Sequence, residues 1–162
     1  MKKLLIAAIC IAGMLSLKAQ GTVNLFDLNN GNISNWGDVP GGAAWGQLYA
    51  GTGGSLAPVG SPVSYAGGFL VGTVDVPEGP PVDVQIRAWS GDSPSWEAAQ
   101  GDLEAWAGMS AIGSMAALGG GGSPPAPPVS IATAGIGSIT MTQVIPEPST
   151  IALGILGAAV LL

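Results

Sequence analysis

The sequence predicts a mainly β protein whose strands form a small sandwich of two sheets. Its 162 residues include 27 glycines and 13 prolines, a composition that favours turns and extended segments over helices. Short stretches of alternating apolar and polar side chains recur along the chain, and turn-forming residues separate them at intervals of about eight to twelve positions. This spacing is typical of Ig-like and jelly-roll-like β-sandwiches that form one domain.

The first two strands are predicted on either side of a long loop. Residues 22–28 alternate apolar and polar side chains and precede an asparagine-rich turn, so they predict a strand. Residues 31–44 are rich in Gly, Asn and Pro and predict a loop that carries Trp36. Residues 44–50 predict the second strand, which ends at a glycine-rich turn.

The next three strands differ in their expected place in the sheet. Residues 56–65 contain Pro58 and Pro62, and they predict an edge strand because proline cannot donate a hydrogen bond to a neighbouring strand. Residues 69–76 predict a further strand. Residues 82–89 have the most regular two-residue period of the sequence, and we expect them to form a central strand.

The character of the chain changes after this central strand. Ser93 and Pro94 suit the N-cap and the first position of a helix, so a helix is predicted to begin there and to resume after Gly101. Residues 109–118 predict either a strand or a loop. Residues 119–128 join a glycine run to a proline-rich spacer and predict a flexible linker, after which strand-like alternation resumes.

The N-terminus has the layout of a secretory signal peptide. A short basic start precedes an apolar run over residues 4–17, and a small residue follows at the position where signal peptidase cuts. We expect cleavage between Ala19 and Gln20 and export through the Sec machinery. Cys10 lies inside the apolar run behind a bulky residue, so it is expected to leave with the peptide and to carry no lipid.

The C-terminus carries a short proline-bounded motif followed by an apolar run. Each proline fixes φ and lacks an N–H, so the motif is expected to be extended and accessible. It consists of Pro146, Glu147, Pro148, Ser149 and Thr150. With the apolar run behind it, the motif resembles the PEP-CTERM sorting signal of Gram-negative bacteria, and only Ile145 differs from the usual Val. The resemblance implies processing by an exosortase, a membrane protease-transpeptidase.

One part of this signal departs from the family pattern. PEP-CTERM tails usually end in a cluster of Arg or Lys that acts as a cytoplasmic stop, whereas this sequence ends at Leu162 without one. The apolar run over residues 151–162 is twelve residues long, and a membrane-spanning helix needs roughly twenty. We therefore expect the natural chain to continue beyond Leu162.

The segment between the two ends also resembles PEP-CTERM ectodomains, of a type found in Verrucomicrobia-like bacteria. The resemblance covers residues 20–150 and rests on short motifs at 47–51, 58–62, 84–89, 96–99 and 122–128. It implies a small β-rich surface or matrix protein without catalytic residues. The expected organisation is a signal peptide over 1–19, a β-rich ectodomain over 20–118, a Gly/Pro linker over 119–128, a final strand region over 129–145, and a sorting signal with a hydrophobic helix over 146–162.

The charge of the exported chain excludes several kinds of partner and reaction. After residue 19, Arg87 is the only basic residue and stands against ten carboxylates, an excess of nine negative charges. Such a surface repels nucleic acid and anionic lipid headgroups. The sequence has no histidine, and its one cysteine lies in the signal peptide, so the usual nucleophile–base pairs and zinc ligand sets are missing. We therefore expect no catalysis, no cofactor and no metal site.

Two tryptophans are candidates for stacking on sugar rings. The sequence contains five tryptophans, and indole rings either stack on saccharides or fill the core of a small sandwich. In the predicted central strand, Val82, Val84, Ile86 and Ala88 face one way and Asp83, Gln85, Arg87 and Trp89 face the other. Trp89, on that polar face, and Trp36, in a loop, are expected to be the exposed ones.

Three polar features are better explained by structure than by a functional site. Residues 27–32 resemble a calcium-binding loop, but the misplaced glycine and the missing closing carboxylate favour a plain turn. Asp102 and Glu104 lie two residues apart and cannot share a helix face, so solvated charges are favoured over a hydrolytic pair. Arg87 is expected to pair with a carboxylate across the sheet, because the surrounding field is negative.

The sequence therefore favours an exported protein of the cell surface or the exopolysaccharide matrix, processed by an exosortase and without catalysis of its own. It is expected to be attached transiently to the inner membrane through its C-terminal helix and then to reach the cell surface or extracellular matrix. The alternative is a carbohydrate-binding module that holds exopolysaccharide with exposed tryptophans. The missing histidine and the early cysteine disfavour an enzyme.

Overall fold

A computed structural model describes residues 21–77, 79–120 and 124–145. The predicted signal peptide, its cleavage site between Ala19 and Gln20, and the motif from Pro146 to Thr150 with the apolar run behind it lie outside the described residues. Within them, strands account for 46% and helices for 12%, which confirms the prediction of a mainly β protein. No helix in these ranges is long and apolar enough to cross a membrane.

The described chain forms ten strands, one short α-helix and three 3₁₀ helices. The strands are β1 (Gly21–Asn24), β2 (Ala44–Thr52), β3 (Ser55–Ala66), β4 (Phe69–Leu70), β5 (Thr73–Val76), β6 (Val82–Ser90), β7 (Trp106–Met109), β8 (Gly113–Met115), β9 (Val129–Ser130) and β10 (Thr142–Gln143). The helix α1 spans Trp96–Ala99, and the 3₁₀ helices span Trp36–Asp38, Pro40–Gly42 and Ile131–Ala134.

The larger sheet is antiparallel and has β6 near its centre. Its strand order is β10-β7-β6-β2-β3-β4, and β8 also pairs with β6. The strand β6 pairs with β2 from Asp83 to Ser90 on one side and with β7 and β8 on the other, which confirms the predicted central strand. Beyond its pairing with β2, β3 pairs with β4 only at its last two residues, so most of β3 is an edge strand, as its prolines predict.

The smaller sheet has the order β5-β1-β9. The strand β1 pairs antiparallel with β5 and parallel with β9. One hydrophobic cluster joins the two sheets: Val23 and Val74 of the smaller sheet belong to the same cluster as Leu48, Val84 and Ile86 of the larger one. Full burial of each such side chain stabilises the fold by about 1.5–3 kcal/mol, so this shared core holds the two sheets together.

Two predicted strands differ from the observed ones. The prediction of a strand over residues 22–28 is too long, because β1 ends at Asn24. The predicted strand 69–76 is divided into β4 and β5, which belong to different sheets. The chain changes sheet at Gly72, whose carbonyl accepts a hydrogen bond of 2.9 Å from the Leu25 N–H. Local alternation does not reveal such a change of partner, because it depends on pairing between distant parts of the chain.

The predicted helix is shorter than the sequence indicated and begins two residues later. Ser95, not Ser93, is the N-cap, and its hydroxyl accepts a hydrogen bond of 3.2 Å from the Ala98 N–H. The helix ends at Ala99, and the residues expected to prolong it form a turn and then β7. Gly101 favours this ending because glycine is costly inside a helix.

The C-terminal part of the body is integrated into the core. The described ends of the predicted Gly/Pro linker are paired: the Thr22 N–H donates to the Gly119 carbonyl at 2.9 Å, and the Gly120 N–H donates to the Ala126 carbonyl at 2.8 Å. Between residues 129 and 145 the structure has two strands, β9 and β10, of two residues each. The intervening apolar side chains nevertheless belong to the main core; these are Ile131, Ile136, Ile139 and Met141.

Candidate functional site

The face of the larger sheet that points away from the core, here called the outer face, carries aromatic and polar side chains. Cross-strand neighbours on β2 and β6 form four pairs on this face, which are Trp45 with Trp89, Gln47 with Arg87, Tyr49 with Gln85, and Gly51 with Asp83. The connection from β6 to β7, which contains α1, folds back over part of this face, because Ala99 and Ala105 pack against Trp89.

The expectation that Trp89 is exposed is wrong. Its side chain is only 1% exposed and packs against Ala99 and Ala105. Its Nε1–H donates a hydrogen bond of 2.8 Å to the Ser93 carbonyl. Period two correctly places Trp89 on the face opposite the core aliphatics, but the β6–β7 connection covers it, so the ring cannot offer a free stacking surface.

Trp36 is not an open platform either. It lies in the first 3₁₀ helix, is half-buried and packs against the main core. Its ring is tilted against that of Tyr65, with 6.1 Å between the ring centroids. Gly68 lies beneath it, where an added Cβ would come within 3.1 Å of the Trp36 Cβ. The side chain packs against the core, which is the alternative role that the sequence left open for the tryptophans.

The outer face contains a groove beside Trp45, here called the Trp45 groove. Its volume is about 390 Å³, within the range of small-ligand sites. Its lining consists of Trp45, Pro62, Trp89, Gly91, Asp92, Ser93 and Pro94. The side chain of Trp45 is 42% exposed, so its ring is accessible while Trp89 contributes only a buried surface.

Both walls of the Trp45 groove are fixed by hydrogen bonds from residues of its sheet. One wall is a bulge in β3, where the register jumps from Gly46↔Val63 to Leu48↔Val59, and the Gln47 Nε2 donates to the Gly60 carbonyl at 2.7 Å. Gly60 has φ of 66° there, which disfavours other residues. The second wall is the loop after β6, held by the hydrogen bond from Trp89.

A second group of side chains surrounds Arg87. Its Nη1 lies 3.4 Å from Glu97 Oε1, and its Nε donates to Gln85 Oε1 at 3.0 Å. Its guanidinium carbon lies 4.0 Å from the ring centroid of Tyr49 and 4.7 Å from that of Trp96. The predicted pairing of Arg87 with a carboxylate is confirmed. The partner lies on α1, however, and not on a neighbouring strand.

The Tyr49 hydroxyl and the Glu97 carboxylate share a hydrogen bond of 2.7 Å. Burial, followed by this hydrogen bond and the charge of Glu97, raises the pKa of Tyr49 to about 12. Burial acts to raise the pKa of Glu97 as well, but hydrogen bonds from Tyr49, the backbone and Ser95, and the charge of Arg87, outweigh it and lower that pKa. At neutral pH the cluster therefore pairs a neutral phenol, a carboxylate and a guanidinium that satisfy one another.

The chain leaves the described body beside a second groove, here called the exit groove. It has a volume of about 580 Å³, and its lining includes Trp96, Gln100, Met109, Thr142 and Ile145. The Trp96 Nε1 is buried and has no hydrogen-bond partner within the described part of the chain.

The acidic residues singled out in the sequence make local contacts. Asp27 Oδ1 accepts hydrogen bonds of 2.9 Å from the Asn29 N–H and 2.8 Å from Asn30 Nδ2, and these contacts lower the Asp27 pKa. These hydrogen bonds form a local turn after Asp27. Asp102 Oδ1 accepts from the Glu104 N–H at 3.0 Å. Among the residues described, no three His, Cys, Asp or Glu side chains come close enough together to hold a metal ion.

Comparisons with known protein families, with curated proteins and with solved structures found no match to this chain. The site therefore has to be interpreted from its own geometry. Sequence reasoning missed Trp45, although a signal was present: residues 60–62 read Gly-Ser-Pro inside a predicted strand, a composition that marks a bulge. Bulges often lie beside binding sites, and the groove lies next to this one.

Proposed function

We propose that this protein is an exported, non-catalytic component of the cell surface or exopolysaccharide matrix, processed by an exosortase at Pro146–Thr150. The observation that carries the proposal is the arrangement of the chain: a secretory layout at the start, a compact acidic β body, and a sorting motif directly behind the body. An excess of nine negative charges after residue 19 suits a protein that stays soluble outside the cell.

The end of the body supports this arrangement. The last backbone hydrogen bond of the described chain runs from the Val144 N–H to the Ala105 carbonyl at 2.8 Å. Ile145, the next residue, is 80% exposed, and the motif begins one residue later. The described body therefore ends at an exposed residue directly before the proposed processing motif.

The two sheets and their shared core fit a sandwich of the Ig-like or jelly-roll-like type. The apolar run from residue 151 is proposed to form a hydrophobic helix that attaches the protein transiently to the inner membrane before it is released to the surface.

The Arg87 cluster is consistent with a non-catalytic body. Its members satisfy one another, since Glu97 accepts from both Tyr49 and Arg87. A catalytic carboxylate usually has a pKa moved towards neutral pH, whereas the pKa of Glu97 is lowered. The cluster therefore suits the attachment of α1 to the sheet better than proton transfer.

The proposal is tested by the mature C-terminus of the protein in a cell that has an exosortase. The wild-type chain is expected to lose the residues behind the motif, and the Glu147→Gln variant is expected to retain them. Mass spectrometry of the purified protein measures the C-terminal residue directly. Glu104→Gln is the matched control, because it makes the same charge change at an exposed position of the body and should be processed normally.

Two results would overturn the proposal. One is a wild-type chain that keeps its apolar run in such a cell, and the other is identical processing of the wild type and Glu147→Gln.

A second candidate function, binding of carbohydrate, is favoured by one specific observation, the exposed Trp45 in a groove with polar groups at its edge.

A further inference from the structure

We propose that the Trp45 groove is a binding site for a neutral saccharide. Trp45 would provide the stacking platform, and Asp92 and Ser93 would provide hydrogen-bond partners for hydroxyl groups. This inference deepens the second candidate function by naming the site and the class of ligand. It does not depend on the sorting signal, so purified protein can test it apart from processing.

The first observation that supports this proposal is that Trp45 is exposed beside the groove. Its cross-strand neighbour Trp89 is 1% exposed, whereas Trp45 is 42% exposed although both lie on the outer face of paired strands. The cover formed by the β6–β7 connection therefore extends over Trp89 and stops before Trp45. The indole of Trp45 is therefore accessible at the border of the groove, and the indole of Trp89 lies beneath the β6–β7 connection.

The second support is that the groove is built in advance. The bulge that places Pro62 in the groove is held by the 2.7 Å hydrogen bond from Gln47, which is itself 8% exposed. The opposite loop is held by the 2.8 Å hydrogen bond from Trp89 to Ser93. Because both walls are fixed from buried positions of the sheet, binding would not have to order them.

The chemistry of the lining selects the ligand class. A pyranose ring has an apolar face of C–H groups, which packs on an indole, and hydroxyl groups at its edge, which need partners. The groove offers both kinds of surface, because Asp92 and Ser93 line it together with Trp45 and Pro62. A purely apolar ligand would bury the Asp92 carboxylate without a partner, and that is costly.

The charge of the chain narrows the class to neutral saccharides. Arg87, the only basic residue after residue 19, is engaged by Glu97 and by two aromatic rings. It does not line the Trp45 groove, where Asp92 is the one charged residue among the described lining residues. A saccharide rich in uronic acids would meet a carboxylate and no counter-charge, so it should be rejected.

The test measures binding of short neutral oligosaccharides to the purified full chain, in a detergent that has no sugar headgroup. Gluco-, manno-, galacto- and xylo-oligosaccharides are the probes, and isothermal titration or ligand-observed NMR is the readout. At least one neutral probe should bind saturably to the wild type. Trp45→Ala should raise its Kd at least about tenfold, which corresponds to about 1.4 kcal/mol.

Phe26→Ala is the matched control. Phe26 is 45% exposed, close to the value of Trp45, and it packs against Phe69 away from the groove, with 6.1 Å between ring centroids. The control should bind like the wild type. Thermal melting of all variants shows whether a loss of binding reflects unfolding, and Trp45→Tyr, which keeps an aromatic ring, should restore part of the affinity if Trp45→Ala is unstable.

A second arm tests the charge selection. Asp92→Asn keeps the shape of the side chain and removes its charge, so it should weaken neutral-saccharide binding and permit measurable binding of an oligouronate. The proposal is overturned if no neutral probe binds the wild type saturably, if Trp45→Ala binds as tightly as Phe26→Ala, or if the wild type prefers the oligouronate.

Discussion

The two faces of β6 follow the same alternation but are buried by different parts of the chain. On the inner face, Val84 and Ile86 are 0% exposed and belong to the core that joins the two sheets. On the outer face, Trp89 is 1% exposed, and its cover is the β6–β7 connection with Ala99 and Ala105. A period of two identifies which residues share a face, but it does not tell what covers that face.

The candidate binding site lies where the outer face is no longer covered. The inner face is covered along its whole length by the shared core. The outer face is covered only as far as the short connection reaches, which leaves Trp45 accessible next to the buried Trp89. Trp45 is accessible to a ligand because it lies just beyond the part of the outer face that the β6–β7 connection covers.

The largest effect is expected from removing Trp89. Trp89→Ala should destabilise the protein by about 3–5 kcal/mol, because it empties the space beneath Ala99 and leaves the Ser93 carbonyl without its donor. Ile86→Ala on the inner face should cost about 2–5 kcal/mol. Urea unfolding of both variants compares the two faces directly.

Leu103→Ala, at a side chain that is 64% exposed, is the surface control and should change stability by no more than about 0.5 kcal/mol. If Trp89→Ala lowers the free energy of unfolding as little as Leu103→Ala does, the β6–β7 connection does not cover the outer face in solution. If Trp89→Ala and Ile86→Ala each lower the free energy of unfolding by several kcal/mol, both faces are part of the folded core.

The next effect is a loss of stability at high pH that originates on both faces. The pKa of Tyr49 on the outer face is raised from 10.0 to about 12, and burial also raises the pKa of Tyr65, which lies in the main core. A folded-state pKa above the unfolded value gives stability that is complete below pH 10. This stability is lost as the pH rises towards the folded value.

Urea unfolding at neutral pH and at several values above pH 10 measures this loss. These are the only two tyrosines of the sequence, so Tyr49→Phe should remove one part of the pH dependence and Tyr65→Phe the other. An unchanged slope in Tyr49→Phe would show that burial and the hydrogen bond to Glu97 do not raise the pKa of Tyr49 in solution.

The parts of the fold that follow from neighbouring residues could be predicted from the sequence. The regular alternation of residues 82–89 and the glycine turn between β2 and β3 specify local geometry, and both elements were located correctly. The division of residues 69–76 between two sheets could not be predicted, because it depends on whether β1 or β3 is the partner. The candidate site also depends on distant contacts. The local pattern assigns Trp45 to a strand, but the exposure of Trp45 depends on how far the β6–β7 connection reaches.

The smallest effect is expected from Arg87, which ties the cover to the outer face. Its pair with Glu97 is partly exposed, with side-chain exposures of 21% and 55%, so the ion pair is worth about 0.2–1 kcal/mol. Its position over the Tyr49 and Trp96 rings adds a cation–π contribution of about 0.5–1 kcal/mol. Arg87→Gln removes both and should lower the melting temperature by a few degrees.

Arg87→Lys separates these two contributions. Lysine keeps the positive charge but loses the planar group that stacks on the rings, so a variant as stable as the wild type would assign the effect to charge alone. In that case the difference between Arg87→Gln and the wild type should shrink as salt is added. A loss in Arg87→Lys that persists at high salt would instead show that stacking holds α1 on the sheet. An unchanged melting temperature in Arg87→Gln would mean that the cover depends on Trp89 and its packing alone.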